Sequence, residues 1–210
     1  MAADIAAIAA MAPVIPVLTI ERAADAVPLA RALAKGGLPV LEITLRTAAA
    51  LEATRRIARE VAGAVVGVGT VLDPAQFVEA REAGARFAVS PGCTPELART
   101  ALAAGLPYLP GVQTVSEALA LRGLGYRLLK FFPADAAGGV TWLKAVAAPL
   151  AGLRFCPTGG VNADTATDYL RLANVACVGG SWVAPETAIE AGDWGKIEHL
   201  ASIAAGMKRR

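Results

Sequence analysis

Histidine is almost absent from this chain: His199 stands alone among 210 residues. Ser-His-Asp and Cys-His mechanisms and most His-built metal sites therefore lack their parts. Cysteine is nearly as scarce. Cys93, Cys156 and Cys177 are odd in number, scattered, and form no CxxC, which points to free thiols in a reducing cytoplasm. Aromatics supply 5% of residues, and no stretch approaches the ~20 uninterrupted apolar residues of a membrane helix. Charge of one sign is missing too. The 20 Lys+Arg against 18 Asp+Glu leave +2, and the basic run is confined to Lys208-Arg209-Arg210, so nucleic acid is not an expected partner. Residues Met1 to Val17 are apolar but carry Asp4, Pro13 and Pro16 without a basic start. They read as a short Ala-rich helix entering a strand rather than as a secretory leader.

What is present is apolar and periodic. A hydrophobic fraction of 55% with little net charge excludes disorder, and the length suits one domain over residues 1–210. Eight short apolar runs recur: Val14–Thr19, Val40–Thr44, Val65–Val68, Phe87–Ser90, Tyr108–Leu109, Leu128–Phe132, Arg154–Pro157 and Val175–Val178. Between them lie stretches with polar residues at helical spacing: Ala23–Lys35, Ala48–Glu60, Pro74–Ala83, Pro95–Ala104, Val115–Arg122, Val140–Ala148 and Ala163–Leu172. Asp73 and Thr94 are candidate N-caps before first-turn prolines, and Gly36, Gly84 and Gly105 are candidate left-handed C-caps. Nearly all-apolar strands belong to a parallel sheet covered by helices. A doubly wound sheet should carry a Gly-rich turn after its first strand, whereas Thr19-Ile20-Glu21-Arg22 has no glycine. The pattern predicts a single (β/α)8 TIM barrel with an N-terminal helix.

In that fold, chemistry sits at the C-terminal ends of the strands. Glu42 interrupts the second run and alternates with Thr44 and Arg46. A carboxylate there is costly unless paired or used, so a buried Glu42–Arg46 ion pair and a catalytic Glu42 both stay open. Lys130 interrupts the sixth run between leucines and phenylalanines. Desolvation favours a neutral amine, the nucleophile that forms a Schiff base; the competing reading is a lysine that snorkels to a carboxylate. Gly159-Gly160 and Gly179-Gly180-Ser181 follow the last two runs, where phosphosugar barrels place their phosphate site.

Several motifs resemble the class I 2-keto-3-deoxy-6-phosphogluconate aldolases, the group that includes 4-hydroxy-2-oxoglutarate aldolase activity. They are Leu41-Glu42-Ile43-Thr44-Leu45-Arg46-Thr47, Val68-Gly69-Thr70-Val71, Ser90-Pro91-Gly92, Leu129-Lys130-Phe131-Phe132-Pro133-Ala134, Phe155-Cys156-Pro157-Thr158-Gly159-Gly160-Val161 and Gly179-Gly180-Ser181-Trp182. The resemblance spans about Pro16 to Ala191. It implies Lys130 as the Schiff-base lysine and Glu42 as the general acid/base. Arg46 and Thr70 would hold the pyruvyl carboxylate, with Pro91 beside the substrate. Gly159, Gly160, Gly180 and Ser181 would take the phosphate, and Thr158 would influence C4 stereochemistry. The implied reaction cleaves a phosphorylated keto acid to pyruvate and glyceraldehyde 3-phosphate, or 4-hydroxy-2-oxoglutarate to pyruvate and glyoxylate, without metal or cofactor. It further implies a cytoplasmic homotrimer. The alternatives are the galactonate-derived epimer as substrate, a metal-dependent aldolase or epimerase on the same barrel, and a phosphometabolite-binding barrel without turnover.

Overall fold

The computed structural model describes residues 4–208, so Arg209 and Arg210 of the basic run lie outside the described residues, as do Met1 to Ala3. The N-terminal helix α1 is Ile5–Ala10 and leads into β1, Val14–Leu18. A 3-10 turn at Ala23–Asp25 precedes α2, Ala26–Lys35. There follow β2 (Val40–Thr44), α3 (Ala50–Glu60), β3 (Val65–Gly69), α4 (Ala75–Glu82), β4 (Ala88–Val89) and α5 (Pro95–Ala104). Then come β5 (Tyr108–Leu109), β6 (Gly111–Val112), α6 (Val115–Gly123), β7 (Leu128–Phe131), α7 (Gly139–Val146) and β8 (Arg154–Pro157). The chain closes with α8 (Ala166–Leu170), β9 (Val178–Gly180), α9 (Glu186–Glu190) and α10 (Trp194–Ala205).

Every strand pairing is parallel. One sheet has the order β5-β4-β3-β2-β1-β9 and the other β6-β7-β8. Isolated bridges Phe155–Val175 and Thr158–Gly179 join the β8 region to the β9 region. Where one fifth strand was expected, two short ones stand either side of Pro110. Proline has no N–H to donate, so the ladder changes hands there: β5 pairs with β4 and β6 with β7. The last strand also differs from its expected Val175–Val178. Residue 175 meets only Phe155, and pairing with β1 starts at Val178, whose N–H reaches the Pro13 carbonyl at 2.9 Å.

Two apolar layers result from the alternation along each strand. Leu41 and Ile43 of β2 pack among the helices, while Val40 faces inward with Ile15, Phe87 and Leu128. Ile5, Ile8 and Ala9 of α1 belong to that inner cluster, so the helix plugs the N-terminal end of the strands. Local capping chemistry sets several helix ends. The Thr94 hydroxyl caps α5 by accepting from Leu97 N–H at 3.2 Å, whereas the N-cap of α4 is Pro74 rather than Asp73, whose carboxylate accepts from Ala75 N–H at 2.8 Å from one residue earlier. Gly84 and Gly105 adopt positive φ as expected, but Gly36 does not. Its φ is −71° and the left-handed position falls to Gly37, at +93°. Gly36 is small for another reason: a Cβ there would overlap Ala201 and the Glu198 carbonyl of α10. The expected Ala163–Leu172 helix is shorter because the Asn162 side chain accepts from Asp164 and Thr165 N–H groups, holding a turn before α8.

Candidate active site

Glu42 lies in the middle of β2 and Lys130 at the third position of β7, 2% and 4% exposed. The Lys130 Nζ donates to Glu42 Oε1 at 3.1 Å across 88 residues of sequence. The pairing answers the first ambiguity in the sequence: Glu42 does not pair with Arg46. The strand ends at Thr44, so strand alternation no longer governs Arg46, which sits exposed in the following turn. Among the described residues it has no carboxylate partner within ion-pair distance. Its guanidinium is a free positive charge at the C-terminal end of the strands. Lys130 likewise does not snorkel out. It stays between Gly111 and Cys156 in register, with its ammonium 5.4 Å from the centre of the Phe132 ring.

Neighbouring strand ends complete the rim. Gly69 ends β3 and stands two positions beyond Gly67, the ladder partner of Glu42. A Cβ on Gly69 would fall onto the Glu42 carboxylate, so the hydrogen at that position is what gives the acid its room. Thr70 follows with φ +61°. A β-branched residue held in the left-handed region is strained, and this one directly follows the end of β3. Half-buried Pro91 follows β4 and fully buried Ser90.

The two glycine pairs serve different ends. Gly159 and Gly160 both take positive φ, +93° and +81°, which turns the backbone beside Asp135. Gly180 is buried with ordinary φ, and the Trp182 ring occupies the place a Cβ would need. Gly179 in turn makes room for the Thr158 side chain. Thr158 is 6% exposed and its hydroxyl donates to the Cys156 carbonyl at 3.3 Å, not to the following turn. Ser181 is exposed and lines a cavity of about 610 Å³ together with Val17, Thr19, Arg22 and Trp182. Glu42 and Lys130 are not among its walls. Val17, which does line it, is the ladder partner of Glu42, so the cavity and the buried ion pair flank the same strand. Arg22 is held by Asp25 at 2.8 Å on the rim.

Three contributors escaped the sequence reading. Gly69 and Phe132 lay inside quoted motifs, but nothing in one dimension shows what a glycine leaves room for. The Trp182 ring over Gly180 is of the same kind. Among the described residues, no three His, Cys, Asp or Glu side chains come together as a metal-binding group.

Known proteins are similar to this chain over nearly its whole length. The chain matches the family model for KDPG and KHG aldolase over residues 5–200. It is 50% identical over 189 residues to the KHG/KDPG aldolase of Escherichia coli K12, covering 90% of this chain and 89% of that one. A KDPG aldolase from Legionella pneumophila, solved with pyruvate captured at low pH as a covalent carbinolamine intermediate, superposes with a TM-score of 0.95 at 46% identity. That match covers 97% of this chain and 99% of the other. The KDPG aldolase of Zymomonas mobilis ZM4 with 3-phosphoglycerate gives 0.93 at 47% identity, covering 100% and 98%.

Proposed function

Because the chain belongs to the KDPG and KHG aldolase family, we propose that its buried Lys130–Glu42 pair is the reacting centre of a class I aldolase. The substrate is 2-dehydro-3-deoxy-6-phosphogluconate, cleaved to pyruvate and glyceraldehyde 3-phosphate; 4-hydroxy-2-oxoglutarate, cleaved to pyruvate and glyoxylate, is a second substrate. The observation that carries this reading is the 3.1 Å contact between an amine and a carboxylate that are both withdrawn from water.

The chemistry follows from that contact. Transfer of a proton from Lys130 to Glu42 frees the amine lone pair to attack the keto carbon, giving a carbinolamine. Glu42 returns the proton to the departing hydroxyl, water leaves, and an iminium remains. The iminium withdraws electrons from the adjacent C3–C4 bond. As Glu42 accepts the C4 hydroxyl proton, that bond breaks, the aldehyde departs, and its electron pair forms an enamine. Protonation at C3 and hydrolysis release pyruvate and restore Lys130. Arg46 and Thr70 bind the pyruvyl carboxylate, and Pro91 packs beside the pyruvyl group. Gly159, Gly160, Gly180 and Ser181 hold the phosphate, for which the cavity at Ser181 supplies volume. The Thr158 hydroxyl rests on the Cys156 carbonyl in the free enzyme and turns its proton to the C4 oxygen when substrate binds, leaving the C4 hydroxyl's own proton for Glu42.

The same reading extends to architecture and assembly. The two sheets form one closed (β/α)8 barrel, supported by the bridges at Val175 and Gly179 and by the hand-over at Pro110. Exposed Val78, Leu102, Val115 and Leu119 on α4 to α6, with Leu124 just beyond α6, offer apolar area to further copies of the chain, in the homotrimer that the family resemblance implies, and the free cysteines favour the cytoplasm. Borohydride reduction in the presence of pyruvate tests the core of the proposal. Lys130 should carry the label and activity should vanish, while Lys35, Lys144, Lys196 and Lys208 stay unmodified. Label on another lysine, or none, removes the imine mechanism.

A further inference from the structure

The barrel wall is interrupted beside the reacting lysine, and a chain of hydroxyls and a thiol spans the gap. At Pro110 the fifth strand leaves β4 and joins β7. The last β4 contact is Ser90 N–H to the Leu109 carbonyl at 3.3 Å, after which Gly111 N–H has no backbone partner on β4. The Ser90 hydroxyl takes it instead, at 3.4 Å. That hydroxyl lies 2.5 Å from the Tyr108 hydroxyl, which donates to Cys93 Sγ at 3.5 Å. Cys93 donates onward to the Thr94 carbonyl at 3.5 Å. Tyr108 has one proton and gives it to Cys93, so Ser90 donates to Tyr108 and accepts from Gly111. The proton order then runs one way, Gly111 to Ser90 to Tyr108 to Cys93 to Thr94, with each donor matched to its own acceptor.

One phenol therefore ties down both ends of Ser90-Pro91-Gly92-Cys93. Burial pushes the Tyr108 phenol well above its usual range and raises the Cys93 thiol, so both stay protonated donors. The ring is fixed independently, edge-on to Phe77 at 5.1 Å and to Tyr126 at 5.9 Å. On the other side of the loop, the Pro91 carbonyl lies where a Cβ on Gly111 would have to be. Gly111 stands opposite Lys130 in the ladder, and Lys130 N–H donates to the Pro110 carbonyl at 2.8 Å.

We infer that Tyr108 is a positioning residue for the lyase reaction, holding through Ser90 and Cys93 the loop that carries Pro91 and the backbone that seats Lys130. The inference rests on the roles proposed above for Lys130 and Pro91. Tyr108→Phe removes the hydroxyl and keeps the ring contacts. The rate of borohydride-trappable imine formation with pyruvate should fall ~10-fold, less than the ~10²-fold that a full 1 Å misplacement at a reacting centre can cost. The label should still map to Lys130. Ser90→Ala should lose at least as much, and the double variant Ser90→Ala/Tyr108→Phe should lose less than the product of the two single losses, because part of the phenol's hold runs through that serine and only the Cys93 link remains to be broken. A Tyr108→Phe protein that traps pyruvate at the unaltered rate with only a lower melting temperature overturns the inference. So do losses that multiply in the double variant. Should Tyr108→Phe not fold, Cys93→Ala releases the far end of the same loop; about threefold slower trapping supports the inference and an unchanged rate overturns it. Failure of the catalytic reading is separate, since it shows in the unaltered protein as absence of label on Lys130.

Discussion

Replacing Gly69 by alanine tests the geometry of the proposed site without altering Glu42 or Lys130. The glycine has ordinary φ, so the backbone accepts alanine; the difficulty is space. The new methyl would stand 2.6 Å from Glu42 Cγ and 2.7 Å from Cδ, and closer still to Oε1. Reaching the 3.4 Å of ordinary contact displaces those carbons by about 0.7–0.8 Å and the oxygen by more. Glu42 is 2% exposed, so it cannot swing into solvent, and the movement is taken from its 3.1 Å contact with Lys130. A misplacement of this size at a reacting centre costs on the order of 10²-fold in kcat. Overpacking should also destabilise the fold by about 1–3 kcal/mol. Gly67→Ala is the control. It lies on the same strand, and its methyl would meet the Phe87 ring as closely, so stability should fall comparably while kcat does not. The assay is steady-state pyruvate release, with thermal melting of both variants. A Gly69→Ala enzyme within threefold of the parent in kcat, or a Gly67→Ala enzyme equally impaired, refutes the argument that Gly69 makes room for a catalytic carboxylate.

Other substitutions separate the remaining roles. Glu42→Gln keeps shape and hydrogen bonding but cannot carry a proton, so kcat should fall ~10²–10⁴-fold with imine trapping slowed rather than abolished; a loss below threefold removes Glu42 from the mechanism. Ser181→Asp places a carboxylate at the proposed phosphate subsite and should raise KM for the phosphorylated substrate sharply while sparing 4-hydroxy-2-oxoglutarate. Equal losses on both substrates would move the phosphate elsewhere. Thr158→Val deletes an oxygen that the C4 hydroxyl is proposed to meet, an interaction worth ~1–3 kcal/mol. The ratio of kcat/KM for the gluconate- and galactonate-derived epimers should narrow or reverse; an unchanged ratio with a lower melting temperature would reduce Thr158 to its bond with Cys156.

Much of this molecule was legible in one dimension because its signals are local. Thr94-Pro95 opens α5 where the cap and the first-turn proline say it should, and Gly105 closes it, since both effects act within a turn of the chain. The parallel sheet was readable from apolar strands with no polar face, and Glu42 and Lys130 were conspicuous as charges inside those strands. Their meaning was not local. That Glu42 meets Lys130 rather than Arg46 depends on two strands 88 residues apart pointing to one interior, while the end of β2 turns the nearer cation away. The same limit explains Gly36, whose small size serves the approach of α10 and not a left-handed cap, and Gly69, whose missing side chain serves a carboxylate on the next strand. It also explains Tyr108, an ordinary core aromatic by sequence, whose hydroxyl joins Ser90 and Cys93 only once Pro110 has parted the ladder. Composition and periodicity determine which elements form and which residues are out of place in them; which groups then share a few ångströms follows from curling the parallel strands around a common interior, because distance in space is a property of the packing and not of the chain.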